Sequence, residues 1–212
     1  MAQTRIIAAQ PTARVTCVVV HGRGQSQDDM MDMIVGRLDR SDVRYVLPKS
    51  VDVGWYAARA IDPLTDTTRA ELQAALTLLD EVMSEAAAPG LPVLLAGFSQ
   101  GACLAVEYLM TRGPVPAAAA LLTGCRVGTR GDGLPLSDLR GLPVYASCGD
   151  DDPWIPAQSH FEMLGDLTRA GARLRMDMFP GRPHDVAPAE IAVLSGMLAD
   201  LAQVRPLLGG RS

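Results

Sequence analysis

The stretch Leu91-Pro92-Val93-Leu94-Leu95-Ala96-Gly97-Phe98-Ser99-Gln100-Gly101 decides how the chain is read. Leu91–Ala96 is a short apolar run of strand length, and Gln100 opens a helix-period segment that runs to about Thr111. Between them stands Gly97-x-Ser99-x-Gly101. With a strand before it and a helix after it, G-x-S-x-G is a turn so tight that its central residue is held in a strained backbone conformation. Side chains two residues to either side would collide, hence glycine at 97 and 101. The turn presents the Ser99 hydroxyl at the end of a sheet and the start of a helix, where a nucleophile is useful. A plain strand–turn–helix with incidental glycines would share the bare pattern; the flanking elements favour Ser99 as a nucleophile.

Outward from this turn, short apolar runs alternate with helix-period segments. Val15–Val20 is β-branched and nearly continuous, the mark of a strand buried on both faces. A helix is expected next, capped by Ser26 with Asp29 three residues on, and with Met30, Met33, Ile34 and Leu38 on its buried face. Val43–Leu47 reads as a strand, residues 49–65 as a loop, and Asp66 to about Ala88 as the longest helix, with Leu72, Ala75, Leu76, Leu79 and Met83 inside. Ala117–Leu122, Leu142–Ser147 and Arg173–Phe179 are further strands. Ala157–Ala170 and Pro188–Ala202 are further helices. Thr4–Ala9 is a candidate antiparallel edge strand, and the residues from Leu208 on read as a frayed tail. Such alternation implies an α/β fold, a mostly parallel sheet with helices on both faces, whose ligands sit beyond the carboxyl ends of the strands. Insertions between strands are too short for a large lid domain, and 1–212 reads as a single domain.

Those strand-end loops hold the remaining chemistry. A serine hydroxyl needs a base, and the chain has 3 histidines: His21, His160 and His184. In a fold with this elbow the acid and then the base follow the nucleophile, which excludes His21. His160 falls inside a predicted helix. His184 follows the last strand, in Gly181-Arg182-Pro183-His184, and is the candidate base. A carboxylate must hold that base in one tautomer. Asp150, Asp151 and Asp152 all follow the strand Leu142–Ser147, and residue order does not separate them. The oxyanion formed during attack needs main-chain N–H donors. Gln100, next to the nucleophile, supplies one, and Arg23 in the loop His21-Gly22-Arg23-Gly24 supplies the other.

Composition bounds the alternatives. At 212 residues, 48% hydrophobic and 20% charged, the chain is an ordinary globular one with enough length to bury a core. A net charge of −5 argues against nucleic-acid partners. Its longest apolar runs are strand-length, so no stable membrane insertion is expected, and residues 1–14 lack a secretory pattern, which points to the cytoplasm. The 4 cysteines make no C-x-x-C pair and read as buried free thiols. Neither a metal nor an organic cofactor is expected, and the sequence leaves homo-oligomerisation open.

Taken in order, His21-Gly22-x-Gly24, Gly97-Phe98-Ser99-Gln100-Gly101, Gly149-x-x-Asp152-x-x-Ile155-Pro156 and Gly181-x-x-His184 resemble the carboxylesterase, lysophospholipase and acyl-protein thioesterase branch of the α/β-hydrolases. The resemblance spans nearly the whole chain. It implies Asp152 as the acid, three residues before Ile155-Pro156, with Ser99, His184 and the donors Arg23 and Gln100 as above. It also implies that Trp55 and Tyr56 lie near the substrate pocket. Trp154, which makes the acid loop bulky, is a third pocket candidate. Arg23 departs from the leucine common in thioesterase members. The activity expected is hydrolysis of small-molecule carboxylic esters with short to medium acyl chains through an acyl-enzyme. A lysophospholipase or acyl-protein thioesterase with the same residues is the alternative, and a non-catalytic binding protein on the same fold is a third.

Overall fold

The computed structural model describes residues 4–7 and 12–209. Its centre is a seven-stranded sheet in the order β1-β3-β2-β4-β5-β6-β7. The strands are β1 (Arg5–Ile7), β2 (Val15–Val20), β3 (Val43–Leu47), β4 (Val93–Phe98), β5 (Ala118–Leu122), β6 (Pro143–Gly149) and β7 (Arg173–Phe179). All neighbours pair in parallel except β1, which lies antiparallel on β3. The expected edge strand is thus present at Arg5–Ile7; Ala8 and Ala9, and the tail beyond Gly209, lie outside the described residues.

Alternation along β2 explains why the strand, Thr16 apart, is apolar. Val18 and Val20 face one core and Val15, Cys17 and Val19 the other. The first core is closed by α3 (Asp66–Ala87), α4 (Gln100–Arg112) and α5 (Ala157–Arg169). The second is closed by α1 (Gln27–Met30), α2 (Gly36–Leu38) and α6 (Pro188–Ala202).

Several boundaries differ from expectation for physical reasons. β4 starts and ends two residues later than the apolar run, because it pairs with β2 as far as Gly97–Val20 and with β5 as far as Phe98–Leu122. Pro92 has no N–H for a ladder, although its carbonyl accepts from Thr16. β6 likewise runs on to Gly149 by pairing with Phe179 of β7. The helix expected after Ser26 does begin with that cap: Ser26 Oγ accepts from the Asp29 N–H and the Asp29 carboxylate accepts from the Ser26 N–H. One π-helical turn, Met31–Val35, then separates α1 from α2. That wider turn buries Val35 alongside Met30, Ile34 and Leu38 and leaves Met33 only half-buried, beside Gln25.

Candidate active site

The chain leaves β2 toward β3 on one side and places β4 on the other, so the order of the sheet reverses at β2. A crevice opens at the carboxyl ends of strands at such a switch point. Ser99 ends β4 at that crevice, and the loop His21–Gly24 ends β2 beside it. The Ser99 backbone has φ 54° and ψ −121°, a region that L side chains rarely adopt and that costs on the order of 1–3 kcal/mol. Two main-chain bonds over-determine it: its N–H donates to the Leu122 carbonyl of β5, and its own carbonyl accepts from Cys103 N–H in the first turn of α4, both at 3.0 Å. The flanking glycines are sterically required. A Cβ on Gly97 would lie 2.4 Å from the Gly101 oxygen, and one on Gly101 would lie 2.2 Å from the Val20 oxygen. Gly22 also lies close to the elbow, with Ser99 Cβ 3.1 Å from where its own Cβ would stand.

Three residues from three strand ends meet here. His184 Nε2 is 2.9 Å from Ser99 Oγ, and His184 Nδ1 is 2.7 Å from Asp152 Oδ2. The imidazole also packs against Phe98, ring centroids 5.0 Å apart. The other oxygen of Asp152 accepts from the Trp154 and Ile155 main-chain N–H groups, each at 2.9 Å. Burial by itself pushes the Asp152 carboxyl up, but the hydrogen bonds from His184, Ile155 and Trp154 outweigh it and hold the group below its ordinary value. Near neutral pH an ionised carboxylate therefore faces Nδ1, which favours the tautomer with its proton on Nδ1 and a lone pair aimed at Ser99. The other two aspartates of this loop stand elsewhere. Asp150 accepts from the Gly181 N–H at 2.7 Å and so ties the acid loop to the base loop, while Asp151 is exposed.

The opposite wall is built by polar main-chain contacts. Gln100, as the first residue of α4, has an N–H that no carbonyl of its own helix can reach. Its buried side chain accepts from Trp55 N–H at 3.0 Å and donates to the Tyr56 carbonyl at 2.8 Å, which clamps the 49–65 loop onto the elbow. Among the described residues no acceptor pairs with the Arg23 main-chain N–H. Its guanidinium turns away to the carbonyls of Tyr56, Ala57 and Ala58. His21, excluded as base, is buried and structural: its Nε2 accepts from Ser50 N–H at 3.1 Å, so Nδ1 carries the proton and donates to the Gly22 carbonyl at 2.7 Å. Burial holds its pKa below the usual value.

These walls border a solvent-accessible cavity of about 380 Å³, within the usual size of small-molecule sites. Ser99, His184, Tyr56, Trp154, Phe98 and Ile155 line it, together with Arg23 and Arg59. Trp55 stands next to this cavity without being among its lining residues: its indole N–H donates to the His21 carbonyl at 2.8 Å and its ring packs tilted against His21. Adjacent residues of a loop face different ways, so proximity of the pair in sequence did not put both on the wall. His160 is fully buried in α5, with Nδ1 bonded to the Gly124 carbonyl at 2.8 Å, and takes no part in the Ser99 cluster. All four cysteines are buried and free.

One group of residues escaped the sequence reading. Arg182 donates to Glu190 Oε2 at 2.6 Å, to the Asp185 carbonyl and to Thr123 Oγ1. Glu190 in turn accepts from Ser147 Oγ and from the Ala187 N–H. This buried ion pair ties the His184 loop to the ends of β5 and β6 from behind. The only sequence signal for it is an acid at the third position of the helix begun by Pro188, which matches half of a capping box.

A phospholipase/carboxylesterase family model matches residues 1–201. An acyl-protein thioesterase 1 of Cryptococcus neoformans var. neoformans serotype D is 23% identical over 92% of this chain and 95% of its own length. A phospholipase/carboxylesterase from Dyadobacter fermentans superposes with TM-score 0.81 at 27% identity, over 94% of this chain and 97% of that one. A Bacillus cereus carboxylesterase shares the fold at TM-score 0.76 and 19% identity, over 95% of each chain. An elbow serine facing a histidine and a buried carboxylate, on this sheet and in a chain matched over nearly its whole length, places the protein in the phospholipase/carboxylesterase family of α/β-hydrolases, as a hydrolytic enzyme.

Proposed function

We propose that Ser99, His184 and Asp152 form a catalytic triad that hydrolyses carboxylic esters through an acyl-enzyme. The observation that carries the reading is the unbroken relay Ser99 Oγ–His184–Asp152, at 2.9 and 2.7 Å, opening on a cavity that is accessible from solvent. Ser99 Oγ attacks the ester carbonyl as His184 Nε2 takes its proton. The Asp152 carboxylate stabilises the imidazolium that results. The Arg23 and Gln100 N–H groups receive the negative oxygen of the tetrahedral intermediate. His184 then returns the proton to the departing alcohol. Water repeats the sequence on the acyl-serine, releasing the carboxylic acid and restoring Ser99.

The modest, largely apolar cavity supports short to medium acyl chains. Rates on p-nitrophenyl esters from acetate to octanoate should exceed that on palmitate, with a burst of p-nitrophenol matching the enzyme concentration. Absence of both burst and turnover on every ester would favour a binding protein instead. The thioesterase named among the relatives supports a second reading, in which the same residues cleave thioesters or lysophospholipids. A marked preference for palmitoyl thioesters over octanoate oxoesters would select it.

A further inference from the structure

The cavity beside Ser99 is charged in a way that neutral-ester hydrolysis does not require. The chain as a whole carries −5, yet Arg23 and Arg59 line the cavity and neither Asp nor Glu does. The Arg23 guanidinium is held by the carbonyls of Tyr56, Ala57 and Ala58. Carbonyls fix its direction but carry no net charge, so its positive charge is not cancelled. Arg59 is exposed, and among the described residues its guanidinium makes no ion pair or hydrogen bond. Asp62 and Glu71 stand on the same side of the molecule but outside the lining, accepting from the Arg59 main-chain N–H at 3.1 Å and the Ala57 N–H at 2.8 Å, and among the described residues neither pairs with the Arg23 or Arg59 guanidinium. Beside these exposed charges stand Phe98, Ile155, Trp154 and Tyr56, which give the rest of the cavity an apolar wall.

Resting on the reading of Ser99 as an ester-cleaving nucleophile, we propose that the cavity is a site for esters that carry a second, anionic group. Arg59 meets that group with its free fork of donors, and Arg23 supplies a fixed positive field behind it. Since Arg59 keeps its water when the cavity is empty, a neutral ester leaves no buried charge unpaired and is still accepted. Selectivity therefore arises by attraction to the anion, not by rejection of neutral esters.

Two matched pairs of substrates test this with the charge at either end: p-nitrophenyl hemiglutarate against p-nitrophenyl valerate, and 4-acetoxybenzoate against phenyl acetate. Reading each pair in wild type and in Arg59→Gln cancels the intrinsic reactivities. In at least one pair the anionic-to-neutral ratio of kcat/KM should fall about tenfold in Arg59→Gln, and wild type should lose the same preference with added salt. Arg140→Gln, a remote surface arginine paired with Asp138, should leave the ratio unchanged. Ratios within twofold between wild type and Arg59→Gln in both pairs would overturn the proposal. Calorimetric titration of glutarate into Ser99→Ala gives a readout without turnover: binding weakened about tenfold by Arg59→Gln supports the subsite, and unchanged binding refutes it. Failure to hydrolyse any ester, neutral ones included, sinks the ester reading and this inference with it.

Discussion

Replacing Asp152 by Asn separates the role of its charge from that of its shape, and the structure dictates how the amide must sit. One oxygen of Asp152 accepts from two main-chain donors, Trp154 and Ile155, and the other faces His184 Nδ1. An amide has one oxygen and one NH2 group. Turning the NH2 toward Trp154 and Ile155 would set donors against donors and leave the partly buried Trp154 N–H and the buried Ile155 N–H without acceptors, at about 1–3 kcal/mol for the buried one. The amide oxygen must therefore stay on the main chain, and the NH2 must face Nδ1. His184 then accepts at Nδ1 and carries its proton on Nε2, where it can no longer receive the proton of Ser99. The charge that stabilised the imidazolium is lost as well. Together these should lower kcat by about 10⁴-fold, or about 5 kcal/mol of transition-state stabilisation. The fold should persist, since size and main-chain bonds are kept. Steady-state turnover of p-nitrophenyl acetate at one pH, with circular dichroism as the folding check, measures it. Asp150→Asn, which can still accept from Gly181, should cost no more than a few-fold. An Asp152→Asn enzyme within tenfold of wild type, or an equally crippled Asp150→Asn, would refute the reasoning.

Ser99→Ala should lower kcat by on the order of 10⁴-fold or more, and fluorophosphonate should label wild type once, at Ser99, as peptide mass spectrometry would show. Gly101→Ala should fail to reach the native fold or lose several kcal/mol in urea unfolding, because the new Cβ would meet the Val20 oxygen at 2.2 Å. Burial lowers the pKa of His21 and of His160, so the unfolded chain binds more protons than the folded one once pH drops below about 6.5. Stability should therefore fall from pH 7 to pH 5, above the range where most carboxylates titrate, and His160→Gln should flatten that slope in urea midpoints measured at the two pH values. Glu190→Gln, which removes the charge opposite buried Arg182, should cost about 3–5 kcal/mol of stability, read from urea unfolding.

The sheet was legible because its inner strands are buried on both faces, which forces nearly continuous apolar runs such as Val15–Val20. Their ends were less so. A strand stops where its neighbour stops pairing, and for β4 that limit is set by β2 and β5, far away in sequence. The π turn at Met31–Val35 left no mark in the apolar periodicity, since Met30, Ile34 and Leu38 are buried with or without it.

The candidate site divides along the same line between local and distant causes. Ser99 could be read because its backbone strain demands glycines two residues away, a requirement written locally. His184 and the aspartate loop could be read because each follows a strand in a fixed order. The supports behind them could not. Arg182 and Glu190 are ordinary surface residues by type, and only the folded chain buries them at 7% and 0% side-chain exposure and pairs them across eight positions. Their burial has a mechanical consequence for the base. Gly149 leaves a gap into which the Arg182 carbonyl comes within 2.9 Å of where a Cβ would stand, so the loop carrying His184 lies directly on the strand end that carries Asp152. The relay distance of 2.7 Å is thus set jointly by a missing side chain at Gly149, by the Asp150–Gly181 bond, and by the ion pair of Arg182 with Glu190. Loosening any one of these should lengthen that hydrogen bond before it unfolds the protein. Partial loss of kcat at unchanged KM is therefore the expected signature of the supports, and near-total loss that of Ser99, His184 and Asp152.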